Sequence, residues 1–347
     1  MSWAGKSILI TGVCGSIGKE LLRQLVETDA ASIVGLDNNE TELFFISEQY
    51  ANEPRVSVYI GDLRDRDKLN RKMSGVDIVL HAAALKHVIL CEKTPRDPVQ
   101  TNILGTQNVI DAAIQNNVER VLFTSSDKAV NPTNVMGTTK LMGERLMTAA
   151  NAHRRGNGPI FASTRFGNVL GSRGSVVPLF HAQIARGGPV TLTDEDMTRF
   201  IMTLKQAVRL VMDSVFLACG GEVFVTKMNV VRILDLARAM IDELAPRYGY
   251  AAQDIKIQVI GSKPGEKLYE ELMNDEETRR TVELPGYFAV LPAFKSVYEE
   301  IQYIYPGMSG VGISAPYNSS VIPPMSEADV RAYLRDNHLL VEDSCAY

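Results

Sequence analysis

Apolar positions in the first 165 residues fall in short, nearly unbroken runs separated by stretches with helical spacing. The runs Ser7–Ile10, Ser32–Leu36, Val56–Ile60, Asp77–Leu80, Arg120–Thr124 and Ile160–Thr164 are rich in Val and Ile. Continuous apolar character of this kind fits strands buried on both faces of a parallel sheet. Between them, Ile17–Glu27, Glu40–Tyr50, Pro98–Asn116 and Met136–His153 carry helical patterns. Strand and helix in regular alternation predict βαβ units and an α/β fold with a doubly wound parallel sheet. After Arg165 the rhythm loosens, with Gly167, Gly171, Gly174, Gly187, Gly188 and Pro189 as punctuation. Helices are expected at Leu204–Ala218, Val231–Glu243 and Ser326–Arg335, and strands at Glu222–Thr226 and Ile255–Ile260. This pattern predicts a domain over 1–165, with some later segments returning to it, and a smaller mixed lobe and tail over 166–347.

Composition narrows the class. The chain has 347 residues, 45% hydrophobic and 22% charged, which is ordinary for a globular protein. A net charge of −5 argues against a nucleic-acid partner, though not against a local pocket for a phosphate. Cys14, Cys91, Cys219 and Cys345 show no metal-binding spacing and read as reduced thiols. The first strand begins at residue 7 with no apolar signal before it, and the longest apolar stretch, Leu210–Phe224, is interrupted by Asp213 and Glu222. The expectation is a cytoplasmic protein with no membrane contact.

The turn after the first strand, Thr11-Gly12-Val13-Cys14-Gly15-Ser16-Ile17-Gly18, carries glycines at G-x-x-G-x-x-G spacing and opens a helix. Such glycines make a tight turn, admit a pyrophosphate to the backbone and let helix and strand pack closely. The helix N-terminus, at Ser16 and Ile17, then offers N–H groups to the phosphates. This is the Rossmann arrangement. Asp37 ends the second strand 19 residues after Gly18, where a carboxylate accepts from ribose hydroxyls and repels a 2′-phosphate. The cofactor expected is therefore NAD rather than NADP. Asp62 and Leu63 follow the third strand, near the adenine end, and the small Ala82 and Ala83 follow the fourth.

These strand ends and the three-glycine loop resemble the extended short-chain dehydrogenase/reductase superfamily. Its members usually carry Tyr-x-x-x-Lys on the helix after the fifth strand. Here the segment is Met136-Gly137-Thr138-Thr139-Lys140: the lysine is present and the phenol is not. A thioether cannot exchange a proton at neutral pH, so the proton work must move or be lost. Just upstream stand Ser126-Asp127-Lys128, followed by Ala129-Val130-Asn131-Pro132. With Ala83-Ala84-Leu85-Lys86-His87-Val88, Arg165–Ser172, Met197-Thr198-Arg199-Phe200 and Pro264-Gly265-Glu266-Lys267, this segment resembles the UDP-N-acetylglucosamine 4,6-dehydratases. The branch most similar has Met for Tyr and retains configuration at C5. The resemblance covers about residues 5–290 and is to a soluble form.

The resemblance implies a cycle of C4 oxidation, loss of water across C5 and C6, and hydride return to C6, with the cofactor kept bound. It implies Asp127 as the acid at the C6 hydroxyl, Lys128 as the base at C5 and Ser126 on the C4 oxygen. Lys140 would hold the nicotinamide ribose and favour the developing alkoxide. A charged Lys128 works against an acid at Asp127, so the two are expected to act as a coupled pair. Lys86, His87, Asn168, Arg199 and Lys267 are candidates for substrate binding, Arg199 because its planar fork suits a pyrophosphate. For Arg199 the residues also allow pairing with Asp194, Glu195 or Asp196, and Arg165 reads as structural. No metal site is expected. By analogy with the superfamily the protein is a homo-oligomer, with Pro98–Asn116 and Met136–His153 as contact helices. Two other readings stay open: a different NAD-dependent nucleotide-sugar enzyme, either a 4-epimerase or a dehydrogenase, and a non-catalytic NAD-binding protein.

Overall fold

A computed structural model of the chain describes residues 2–153, 158–172, 174–261, 265–294 and 301–341. Pro264 and Cys345 lie outside them. The chain divides into two compact units.

The first unit comprises Met1–Arg165, Val208–Thr226 and Met273–Pro316. Its strands β1 (Ser7–Thr11), β2 (Ser32–Asp37), β3 (Val56–Ile60), β4 (Ile78–His81), β5 (Arg120–Thr124) and β6 (Ile160–Arg165) lie within a residue or so of the predicted runs. They belong to a nine-stranded sheet ordered Thr281–Glu283, Tyr287–Val290, Val223–Thr226, β6, β5, β4, β1, β2, β3. From Val223–Thr226 to β3 every pair is parallel, as expected for an α/β doubly wound fold. Tyr287–Val290 and Thr281–Glu283 add an antiparallel margin. The sequence pattern predicts no strand after Pro285. Tyr287–Val290 is too short a run to show a period, and its register is set by Val223–Thr226.

The helices of this unit include α1 (Ser16–Val26), α2 (Glu40–Gln49), α3 (Arg66–Lys72), α4 (Val88–Lys93), the single turn α5 (Arg96–Pro98), α6 (Gly105–Gln115) and α7 (Val135–Ala150), and from Val208 on the helix Leu204–Leu217, which ends one residue before its expected bound. The expected Pro98–Asn116 helix is therefore interrupted: a π-helical turn, Val99–Leu104, joins α5 to α6. Asparagine caps set two starts. Asn39 accepts from the Glu42 N–H and Asn134 from the Gly137 N–H. The strand order reverses between β1 and β4, and open α/β sheets bind ligands outside the carboxyl ends of the strands at such a point.

The second unit comprises Phe166–Ala207, Lys227–Leu272 and Tyr317–Tyr347. A three-stranded sheet of Asn229–Arg232, Thr198–Met202 and Asn168–Val169 and a parallel pair, Val190–Leu192 with Ile257–Val259, are joined by helices Val176–Ile184, Ile233–Leu244 and Glu327–Asp336. Its core includes Phe180, Ile201, Leu236, Met240 and Leu334. The helix expected from Val231 starts instead at Ile233, because Val231 and Arg232 pair with Arg199 and Thr198 as strand. Among the described residues, no helix is long and apolar enough to cross a membrane.

Candidate active site

The glycine turn joins β1 to α1 where β1 and β4 end. The Gly12 N–H bonds the Leu36 carbonyl at 2.8 Å. Gly12 has φ +75°, and a Cβ there would come within 2.6 Å of the Ala83 Cα. Only glycine fits both the turn and the approach of the Ala82–Ala83 segment. A Cβ at Gly18 would run into the Gly12 carbonyl, so that glycine serves helix–strand packing. Gly15 is the N-cap of α1, no side chain caps the helix, and its first turn holds no acidic residue. That leaves the helix N-terminus suited to an anion at Ser16, Ile17 and Gly18.

Asp37 fixes the loop it faces, accepting from the Cys14 N–H at 2.9 Å and the Asn39 N–H at 3.0 Å. Cys14 is buried against it; burial first, and then the Asp37 charge, push its thiol up to about 12, so it packs as an inert thiol. Asp62 pairs with Arg64 at 2.6 Å, which holds its carboxyl below the usual range. Leu63 is buried, and its carbonyl accepts from the Asn108 side chain at 2.9 Å.

Ser126, Asp127 and Lys128, the candidates for proton transfer, follow β5. Ser126 caps a 3₁₀ turn, Asp127–Ala129. Its Oγ donates to Asp127 Oδ1 at 2.6 Å, and Lys128 Nζ donates to Asp127 Oδ2 at 2.9 Å. Asp127 is 5% exposed and the Lys128 side chain 34%, so the pair has one buried and one wet member. The turn is locked to α7: a Cβ at Gly137 would overlap the Lys128 carbonyl oxygen.

On α7, Met136 is buried at the position where a tyrosine is usual, one turn before Lys140. Lys140 is buried, donates to the Thr124 carbonyl at 2.9 Å and lies 4.7 Å from the centre of the Phe123 ring. Burial pushes its ammonium down to about 8, partly offset by Glu144 one turn on. Among the described residues, no carboxylate comes within ion-pair range of Lys140, and the buried Ser125 Oγ at the same strand end has no hydrogen-bond partner. An uncapped helix N-terminus, a carboxylate at the end of β2 and buried donors at the end of β5 fit a dinucleotide.

Sequence reasoning missed a supporting set. Asn102, in the π-helical turn, accepts from the Leu85 N–H at 2.8 Å and donates to the Leu85 carbonyl at 2.9 Å and to Thr139 Oγ1 at 3.0 Å. It thus ties the segment before Lys86 and His87 to α7. No local signal marks Asn102, because Gln100, Thr101, Gln107 and Asn108 in the same segment are polar as well. Lys86 and His87 themselves are exposed, and His87 is the N-cap residue of α4.

The remaining candidates stand in the second unit, two of them on one carboxylate. Asn168 donates to Glu270 at 2.8 Å, and Arg199 pairs with Glu270 at 3.2 Å. Arg199 also donates to the carbonyls of Thr198, Lys267 and Leu268 and lies 3.7 Å from Glu266. Its pairing is therefore with Glu270 and Glu266, not with the acidic residues at 194–196, and it braces the 266–270 segment. Lys267 pairs with Glu271 at 3.2 Å.

A family profile described as "Polysaccharide biosynthesis protein" matches residues 8–292. The chain is 52% identical over 287 residues, 83% of this chain and 86% of the other, to a protein of Methanocaldococcus jannaschii named an uncharacterized membrane protein, MJ1061. It is 39% identical over 301 residues, 86% of each chain, to a UDP-N-acetylglucosamine 4,6-dehydratase (inverting) of Campylobacter jejuni. A UDP-glucose 4-epimerase of Rickettsia canadensis is 37% identical over 321 residues, 90% of this chain and 91% of that one. Among solved structures, Pen from Bacillus thuringiensis superposes with a TM-score of 0.91 at 39% identity, covering 98% of this chain and 100% of that one. DesIV, a dTDP-glucose 4,6-dehydratase from Streptomyces venezuelae solved with NAD and TYD, shares the fold at 23% identity, TM-score 0.64, over 76% of this chain and 86% of that one.

Proposed function

This chain belongs to the polysaccharide biosynthesis protein family, an extended short-chain dehydrogenase/reductase group, and from that premise we propose that it is a nucleotide-sugar 4,6-dehydratase acting on UDP-N-acetylglucosamine. The cofactor is NAD, which when bound takes up and returns a hydride. One observation carries the reading: Ser126, Asp127 and Lys128 form a hydrogen-bonded trio packed against the helix that bears Met136 and Lys140.

The residues divide the work by their chemistry. Gly12, Gly15 and the N–H groups of Ser16, Ile17 and Gly18 take the pyrophosphate, with Asp37 on a ribose and Asp62, Leu63, Ala82 and Ala83 at the strand ends. Lys140, charged below about pH 8, holds the nicotinamide ribose and draws negative charge onto the C4 oxygen. Ser126 Oγ hydrogen-bonds that oxygen. Lys128 removes the C5 proton, made acidic by a ketone at C4, while Asp127 protonates the departing C6 hydroxyl as water. The contact between the two lets one proton serve both roles in turn. Lys86 and His87 are the candidates for the sugar, and Asn168, Arg199 and Lys267 are candidates for the nucleotide by their chemistry, with Arg199 acting through the segment it braces. Exposed apolar side chains on the π turn, α6 and α7, namely Leu104, Ile114 and Met142, support self-association of the chain.

The test is incubation with UDP-N-acetylglucosamine in deuterated water. Loss of one water with deuterium at C5 and no accumulated NADH is expected, and the C5 configuration of the product reads retention against inversion. A 4-epimer of unchanged mass assigns an epimerase, accumulated NADH a dehydrogenase, and NAD binding without turnover a non-catalytic protein; each overturns the proposal. Asp127→Asn is expected to lower kcat by about 10²–10⁴-fold. Unchanged turnover would remove Asp127 from the acid role.

A further inference from the structure

His81 ends β4 and is wholly buried, yet both its ring nitrogens meet hydroxyl groups. Nδ1 lies 2.7 Å from Thr11 Oγ1, and Nε2 lies 3.1 Å from Thr106 Oγ1. The protons can be placed by elimination. Thr106 Oγ1 donates its single proton to the Asn102 carbonyl at 2.7 Å. It has none left for the ring, so Nε2 carries the imidazole proton and donates to Thr106. Thr11 Oγ1 then donates to Nδ1, and its oxygen accepts from the Ala83 N–H at 3.4 Å. The bonds form one directed chain: Ala83 to Thr11, Thr11 to His81, His81 to Thr106, and Thr106 to Asn102.

The two ends of this chain matter for the site. Ala83 is the residue against which Gly12 packs. Asn102 is the clamp that grips Leu85 and donates to Thr139, whose hydroxyl bonds the Met136 carbonyl at 2.8 Å. A protonated imidazole would break the direction of the chain, because Nδ1–H would donate to Thr11 Oγ1 and take away the acceptor of the Thr11 hydroxyl proton. The surroundings oppose protonation as well: burial first, then the charge of Lys140, push the ring down to about 3. Lys140 is the charged group facing the ring, and Glu144 in turn faces Lys140.

We propose that His81 is a positioning residue: a neutral, Nε2-protonated imidazole that joins the floor beneath the dinucleotide to the face of α7 bearing Met136 and Lys140. The kinetic half of this proposal rests on the dehydratase reading; the tautomer does not. Its test is long-range ¹H–¹⁵N correlation on the full chain labelled at histidine, with the His81 signal assigned by its loss in His81→Gln. The expected spectrum shows an Nε2–H tautomer unchanged across about pH 5–8, the range in which an unperturbed imidazole titrates. An Nδ1–H tautomer, or titration in that range, would overturn the assignment. Thr106→Val keeps the shape and removes the acceptor. It should alter the His81 signal and lower kcat on the order of tenfold, within what a small misplacement costs, with KM for the nucleotide sugar unchanged. Thr106→Ser should restore both. Full kcat in Thr106→Val, or a loss confined to KM, would refute the positioning role. A chain that turns over no nucleotide sugar would sink the function and leave the tautomer measurement standing.

Discussion

Two buried cations flank one face of α7, and their surroundings are opposite. Arg165, at the end of β6, pairs with Glu144 at 2.6 Å and with Glu277 at 2.8 Å, all three side chains almost wholly inside. Burial works against its charge, but the two carboxylates outweigh burial and hold the guanidinium above its usual range. Lys140 sits one turn earlier on α7 than Glu144 and has a carbonyl and an aromatic ring for company. Its ammonium is pushed down instead of up. The contrast separates structure from chemistry. A cation paired with two buried carboxylates is spent on holding the fold. One buried with donors to spare is poised for a ligand and can lose its proton near the working pH.

Lys140→Met should produce the largest effect, a kcat loss of at least about 10³-fold as the preorganised charge is removed, with the melting temperature held or raised. Activity within tenfold of the parent would end the comparison on the chemical side. Arg165→Met should do the reverse. Leaving two buried carboxylates without a partner costs about 3–5 kcal/mol, read as a drop in denaturant midpoint, while the folded fraction keeps kcat within a few-fold. A stable Arg165→Met protein would show that the triad does not hold the fold.

The pH dependence comes next in size. Lys140 is charged in the folded protein below about pH 8, so kcat/KM of the free enzyme should fall as pH rises through that value. Stability moves the other way. The folded ammonium loses its proton before the unfolded one, whose ordinary value is 10.5, so the penalty of burying this charge, full below about pH 8, is relieved and stability rises as pH goes from about 8 to 10.5. A rate profile flat to pH 10 would refute the assignment. Glu144→Gln gives the smallest and sharpest test, since Glu144 faces both cations. It should move the alkaline limb of the rate profile to lower pH by less than about one unit, because the charge that supports the ammonium is gone.

Much of the first unit was legible because parallel strands betray themselves as continuous apolar runs, and because the glycine turn, Asp37 and Ser126–Lys128 sit at fixed offsets from those runs. The parts that stayed hidden have partners far along the chain. Nothing near Arg165 announces Glu277, 112 residues away, and nothing near Arg199 announces Glu270. The helix Val176–Ile184 was missed because it buries Val177, Pro178, Phe180, His181 and Ile184 together, which leaves little polar face to mark a period. His81 lies one residue beyond the predicted run Asp77–Leu80 and carries no role in the sequence reading. An imidazole closing an apolar run was the signal, and its meaning lay in two threonines contributed by other elements.

The hydrogen atom at position 137 has an outsized reach. Because nothing larger fits between α7 and the Lys128 carbonyl, the helix that bears Lys140 and the turn that bears Asp127 and Lys128 are held at direct backbone approach. One added methyl would wedge that approach open while leaving the glycine turn at 12–18 untouched. On the proposed function, that change of three atoms would end turnover and spare the turn assigned to the dinucleotide.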